Sequence, residues 1–552
     1  LHEISLKHSL AKNFTLKGEY GILKRDSFKS SRYIGTAQYS PDNMPSLSYS
    51  IEKRKNTDEL HTTNGDWLLN KGSLVYPLND NLETSFKIEH ENRQIKNKLT
   101  DSLFFGSYKL LEYLPAFRIK NIWQLSVGAE LGWRIMDSLR TSQAIPSIHT
   151  FMQKYTMELH EWEALASKVE ITGYSISGKN TSRSNDLNNS FNLRWQTKYS
   201  PFQRALESDF YYDVSSERSA KMERVFQRVT IGQGNFKYVG DVNNNKMVDE
   251  ADFDPTRFDG DYIVLLFPSE QYIPVVNLKG SGRLRVNGSR ITQAQGLVSG
   301  ILNSLSTETY ARVEERNTST QKNNIYFLHF DQFLDDTYTI SGNQLLSNDL
   351  FLFENNQNLN FRFRFVQSGG MSQYATQNEK TFAKERSVRI RLSFTEDLSN
   401  QTEYTDKTDN LFSNIFSTRI RNIKSEALSS DFSYHMGQDF QLGIKFSVGT
   451  VTNFNLDQSN LNDQSLRAIY SFKSLGQVRF EFTREEAVVI SSSRFIPFEL
   501  TSGRISGKTW IVRLLGDYRL TQFLQMNVRY EGRIEGAHPS VHTGQAEVKA
   551  FF

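Results

Sequence analysis

The sequence predicts an all-β chain, a large transmembrane antiparallel β-barrel of about 22–26 strands with long external loops. Three observations carry that expectation. Apolar and polar residues alternate with a period of two from end to end. The alternating runs reach about 9–11 residues, the length that crosses a bilayer when tilted, whereas soluble strands run nearer 5–6. Near the C-terminus the connections alternate short and long, as in barrels with tight periplasmic turns and extended outer loops.

Several stretches show the alternation plainly. In Trp123 to Trp133 every odd position is apolar, and every even one is polar or Gly. Phe191, Leu193, Trp195 and Tyr199 alternate with polar residues, as do Leu359, Phe361, Phe363 and Phe365, and Val388, Ile390, Leu392 and Phe394. The pattern recurs over Phe440 to Gly449 and Leu524 to Glu531. Successive side chains on a strand point to opposite sides, so each run has one oily and one wet face. The short connections are Met436 to Asp439, Ser474 to Gln477 and the turn near Leu520, with Glu396 to Asn400 and Glu354 to Asn358 further back. The expected long outer ones are Val366 to Glu385, Asn453 to Asp463, Glu485 to Gly507 and Glu531 to Thr543. Gly296 to Ser306 reads as a short helix or a loop.

Composition agrees. The 552 residues carry 65 Lys+Arg against 62 Asp+Glu, a formal charge of +3 that gives no case for nucleic acid. Aromatics reach 12%, with 39 Phe and 24 Tyr, unlike a disordered chain. The absence of Cys rules out disulfides, thiolate zinc sites and a Cys nucleophile. The longest apolar runs, such as Tyr262 to Phe267, fall far short of the roughly 20 residues of a membrane helix. Residues 1–552 read as one barrel with an Asn/Asp-rich insertion loop at 232–275. The opening at Leu1, without Met or a basic and apolar leader, suggests a mature or truncated product lacking its signal peptide and an N-terminal domain. A string of soluble β-sandwiches is the rival fold, but Pro- or Ser-rich joints between domains are not visible.

Two resemblances follow from particular residues. Ala546, Val548, Ala550 and Phe552 share one face of the terminal stretch Gly544 to Phe552. This resembles the last strand of bacterial outer-membrane proteins, which implies that Phe552 is an assembly signal read by the barrel-assembly machinery. The stretches Gly232 to Tyr238, Asp259 to Val264, Ile340 to Gly342, Asp349 to Asn355 and Phe361 to Phe365 are similar to large surface barrels of Bacteroidota and related phyla. That family has no assigned activity, so the resemblance implies place and fold. No plug-like segment or energy-coupling box is visible before the first strand, a departure from TonB-dependent transporters unless both belong to a missing N-terminal part.

Candidate sites come next. Asp241, Asn243, Asn245, Asp249 and Asp252 put oxygen donors at loop positions 1, 3, 5, 9 and 12, with the Met247 carbonyl at 7. Calcium takes six to eight oxygens in such a wrap, and the loop resembles EF-hand and dockerin loops. It departs from them in Lys246 at position 6 and Asp252 at 12; the rival reading is a hydrated acidic loop. Arg194, Arg362, Arg364, Arg389, Arg391, Arg479, Arg513, Arg519 and Arg529 fall on wet faces and would line the lumen. They form either a cationic constriction for anions or an acidic plug, or a ladder of cross-strand ion pairs, the favoured reading. The six Trp look like interfacial girdle residues. His160-Glu-Trp-Glu163 lacks a second His, and neither a phosphate cradle nor a Gly-x-Ser-x-Gly elbow is present, so an enzyme is not expected. The expected role is a pore in the bacterial outer membrane, passive or within a complex containing a plug, lipoprotein or other subunits. The alternative is a surface or adhesive barrel with a blocked lumen. Apart from candidate calcium, no cofactor is expected.

Overall fold

The computed structural model describes all residues except 1, 12, 26, 42–43, 105, 141–142, 145–147, 179–188, 243, 247, 291–299, 301–302, 320–324, 327–332, 376, 415–418, 455, 474, 492–495 and 552. Of the 28 strands among the described residues, only Gln143–Ala144, Gly234–Tyr238 and Phe253–Gly260 are shorter than ten residues. The remaining 25 lie inside the expected range. No helix among the described residues is long and apolar enough to cross a membrane.

The chain divides into two compact units. The first, Leu1–Tyr199 with Asp209–Glu217 and Val276–Leu278, is an antiparallel meander in which each long strand pairs with the next. The second holds Ser200–Ser208, Arg218–Val275 and Lys279–Phe552, and is again a meander from Leu305–Asn317 through to Val541–Ala550. Antiparallel neighbours need only tight turns, and those turns are where backbones enter the left-handed region: Trp123, Gln124, Glu163, Lys473 and Gly437 all have positive φ.

Cross-strand registers sort the side chains. Phe363, Val388, Tyr404, Leu428 and Val448 are consecutive partners across five strands. Each is 36–51% exposed, a continuous oily row with no protein above it. Among the polar side chains on this face, Asn400 donates to the Ser430 hydroxyl at 2.8 Å. On the opposite face Arg467, Glu481, Arg513 and Glu531 are partners in turn, with Arg513 donating to Glu531 at 2.8 Å. A water-bathed sheet would gain nothing from the oily row, whereas lipid rewards it and tolerates backbone only in a fully paired sheet. The fold class is therefore the large transmembrane antiparallel β-barrel, and its place is the bacterial outer membrane.

Three expected loops are mostly strand. Leu359–Gln373 and Asn378–Ser393 reduce Val366 to Glu385 to residues 374–377, Phe440–Asn453 and Asp457–Ser471 reduce Asn453 to Asp463 to residues 454–456, and Leu524–Glu535 and Val541–Ala550 reduce Glu531 to Thr543 to residues 536–540. Past the bilayer neither face meets lipid, so alternation fades. The amides there still need partners, and pairing continues. Residues 262–275 likewise belong to the strand Tyr262–Asn287. Of Gly296 to Ser306, Leu305 and Ser306 begin a strand, and 296–299 and 301–302 lie outside the described residues.

Candidate functional site: the insertion on the polar face

The strands Leu206–Arg228 and Tyr262–Asn287 pair as a hairpin, of which the stretches 218–228 and 262–275 belong to the second unit. Ala205 accepts from Asn287 at 2.8 Å and Val229 donates to Asp261 at 2.7 Å. Residues 230–260 are inserted at its tip and carry their own core. Phe253, 2% exposed, stacks on Phe226 at 3.9 Å and meets Tyr238 and Tyr262 edge-on at 5.4 and 5.0 Å. Gly234–Tyr238 pairs with Phe253–Gly260 through a bulge. Here the backbones approach so closely that a Cβ on Gly234 would lie 2.5 Å from Tyr262 backbone atoms, so glycine is required.

Two ion clusters fix this insertion against distant strands. In the first, Arg224 donates to Glu379 at 2.6 and 2.8 Å and to the Tyr374 hydroxyl at 2.6 Å, and also pairs with Glu250. Arg419 pairs with Glu250 and lies 3.3 Å from Glu379, while Gln377 donates to Glu250 at 2.6 Å. Burial pushes the Glu250 carboxyl up, but the hydrogen bonds and charges of Arg224 and Arg419 outweigh it and hold it below the usual range. In the second, Arg257 grips Glu485 with two bonds of 2.7 and 3.1 Å, and Arg504 donates to Asp463 at 2.9 Å. The Arg533 guanidinium lies 3.8 Å from the Phe258 ring centroid.

The registers explain the second cluster. Asp463 and Glu485 are direct cross-strand partners, a repulsive pair within the sheet. Cations from outside the sheet neutralise them: Arg257 from the insertion and Arg504 from the 491–506 connection. Glu485 shares a face with Glu481, and Glu379 shares one with Arg389 and Arg391, because each differs by an even number of positions along one strand. The insertion therefore sits on the polar, lumen-side face at the long-loop end. The helix Phe498–Thr501 packs beside it, with Leu500 fully buried against Ile423 and Val451.

The nine predicted arginines divide. Arg194 meets Asp213 at 2.8 Å, Arg362 meets Glu403 at 3.0 Å, Arg364 grips Asp349 at 2.9 and 3.0 Å, and Arg513 meets Glu531. Arg389, Arg391, Arg479, Arg519 and Arg529 make no side-chain hydrogen bond or ion pair among the described residues. In the first unit, a recess of about 660 Å³ is lined by Glu83, Lys120, Ser126, Lys154, His160 and Glu170. Two of its ion pairs are Lys120 with Glu83 and Lys154 with Glu170 at 3.2 Å.

In the loop predicted for calcium, Asn243 and Met247 lie outside the described residues. Asp241 accepts from the Asn245 and Lys246 amides at 3.1 and 2.9 Å, Asp252 from Val242 and Asp249 at 3.0 and 3.1 Å, and Asp249 from Ala251 at 2.9 Å. Lys246 adopts φ 61°, the conformation glycine supplies in such loops. Among the described residues no group of three or more His, Asp or Glu is set to hold a metal ion. Phe552 also lies outside the described residues.

Glu250, Arg224, Arg257, Glu379, Glu485 and Arg504 were not singled out by the sequence. The Arg257–Glu485 pair joins residues 228 positions apart. The one signal available was Asp463 opposite Glu485, visible once the register of those two strands is known.

No family model matches the chain, and no curated protein matches it. Among solved structures it is similar to the siderophore receptor PirA from Pseudomonas aeruginosa, with 6% identity over 100% of this chain and 80% of that one, TM-score 0.29. It is similar to the outer membrane transporter YddB from Escherichia coli, with 9% identity over 98% and 81%, TM-score 0.32. The copper transporter OprC shares 10% identity over 88% and 74%, TM-score 0.30. The fold assignment rests on the strands themselves.

Proposed function

We propose that the chain is an outer-membrane transport barrel whose polar path is capped at the long-loop end by its own insertion, which is displaced when material passes. The observation that carries this reading is the seating of residues 230–260 on the polar face through two matched ion clusters. A wide barrel holds an aqueous path unless something fills it, and the insertion is seated on the wall that would bound such a path. The same seating favours the second reading, a surface barrel with a permanently blocked lumen.

Conductance separates the two. Val229 and Asp261 are already hydrogen-bonded, so residues 230–260 can be replaced by an Asn-Gly turn without disturbing the hairpin below. In planar bilayers the parent is expected to conduct weakly and the deletion to conduct roughly tenfold more. A correctly folded deletion as silent as the parent would remove the transport reading.

Calcium at Asp241, Asn243, Asn245, Met247, Asp249 and Asp252 is a separate proposal, supported by the oxygen spacing and by left-handed Lys246. Calorimetric titration is expected to give a heat that an Asp241→Ala/Asp249→Ala variant loses. Equal heats from both proteins remove the idea.

A further inference from the structure

On the wall of the second unit, like charges meet where the ion ladder does not close. Arg362 and Arg389 are direct partners across neighbouring strands, and like charges so placed repel. Both are offered the same carboxylate: Glu403 is the cross-strand partner of Arg389, yet its hydrogen bond goes to Arg362. Arg389, half-buried, makes no side-chain hydrogen bond or ion pair among the described residues. The Nε of Arg362 is buried and has no protein partner. Two residues along the strand, Arg391 is exposed between Asn360 and Gln401, both neutral. Arg364 brings no relief, because Asp349 occupies it with two bonds. Further along, Glu385 faces Lys407, so that rung is already neutral.

Three guanidinium groups thus share one carboxylate, leaving an excess of two positive charges beside two neutral amide side chains. Further round this face Arg467, Glu481, Arg513 and Glu531 alternate in sign across four strands. A guanidinium presents parallel N–H donors matched to the paired oxygens of a carboxylate or phosphate, and such charge-assisted bonds strengthen away from bulk water.

We propose that Arg362, Arg389 and Arg391, with Asn360 and Gln401 beside them, form an oxyanion-binding site on the lumen wall. It takes the carboxylate or phosphate group of a small solute. This deepens the transport reading and rests on the polar face bounding the solute path. Glu403 orients Arg362, and the incoming oxyanion supplies the charge that Arg389 lacks.

The test uses the full chain in neutral detergent at low ionic strength, titrated calorimetrically with inorganic phosphate and, separately, with succinate. Saturable binding of either anion is expected, weakened roughly tenfold or more in Arg389→Gln/Arg391→Gln and unchanged in Arg194→Gln, a ladder residue of the other unit. Without anion, Arg389→Gln is expected to melt higher than the parent, because a repulsive pair is relieved. Added phosphate should raise the melting temperature of the parent and leave that of the double variant where it was. No saturable heat with either anion, or equal affinity in parent and double variant, overturns the proposal. Binding is read without transport, so a silent channel and a failed anion site are separate results.

Discussion

Val388→Arg is expected to leave most of the protein unable to assemble, whereas Ser429→Arg, on the other face of a nearby strand, is expected to fold normally. Val388 lies within the exposed row Phe363, Val388, Tyr404, Leu428 and Val448, and five positions from the short-turn end of its strand, close to the bilayer midplane. An Arg there costs about 2–4 kcal/mol if lipid covers the row and almost nothing if water does. Against a total stability of about 5–15 kcal/mol, that is a large fraction. Ser429 is the cross-strand partner of Glu403 on the polar face, so a cation placed there meets water rather than lipid. Folded and unfolded forms separate by heat-modifiable gel migration, and urea titration in liposomes gives the midpoint. Equal midpoints for Val388→Arg and the parent would mean that the oily row faces something other than lipid.

Inside the membrane, lipid on one face and water on the other impose alternation, so the strands crossing at Phe361 to Phe365 and Val388 to Leu392 are legible residue by residue. Above it that constraint ends, and Gln367 to Gln373 and Asn378 to Glu385 pair into strands although their pattern reads as loop. The same divide runs through the site. That Arg364 and Arg513 point to the lumen follows from their own strands, and that they meet Asp349 and Glu531 follows from the neighbouring register. That Arg224 meets Glu379, 155 positions away, depends on how the hairpin folds back on the sheet, which no local pattern encodes. The Asn/Asp-rich composition of the insertion marked it as different. It did not reveal the aromatic core around Phe253 or the face on which the insertion sits.

Glu250→Gln is expected to release the insertion while leaving the barrel intact. The Glu250 side chain is 14% exposed and pairs with Arg224 and Arg419, themselves 12% and 25% exposed. The substitution keeps the volume but leaves both guanidinium groups to Glu379, outside the insertion. Breaking a buried pair from one side costs about 3–5 kcal/mol, chiefly by stranding the remaining charge. At about 1.4 kcal/mol per tenfold, the undocked population rises at least a hundredfold. Limited trypsin digestion reads this directly, since Lys237 and Lys246 lie in the insertion and are cut faster once it swings free. The second variant Arg419→Gln/Glu250→Gln, which removes one charge of each sign, is expected to recover part of the protection. A simple loss of packing would not produce that recovery. Cleavage of Glu250→Gln at the parent rate would sink the assignment of this cluster as the insertion's anchor. Acid has a related effect of known sign. The Glu250 carboxyl is held below its ordinary value in the folded protein, so its contribution is fully present above the ordinary carboxylate range and is lost only as pH falls through its depressed folded value. The parent should therefore keep its insertion docked at neutral and mildly acidic pH. Trypsin sites exposed by a brief acid pulse, and protected again on neutralisation, would mark the cap as a reversible closure.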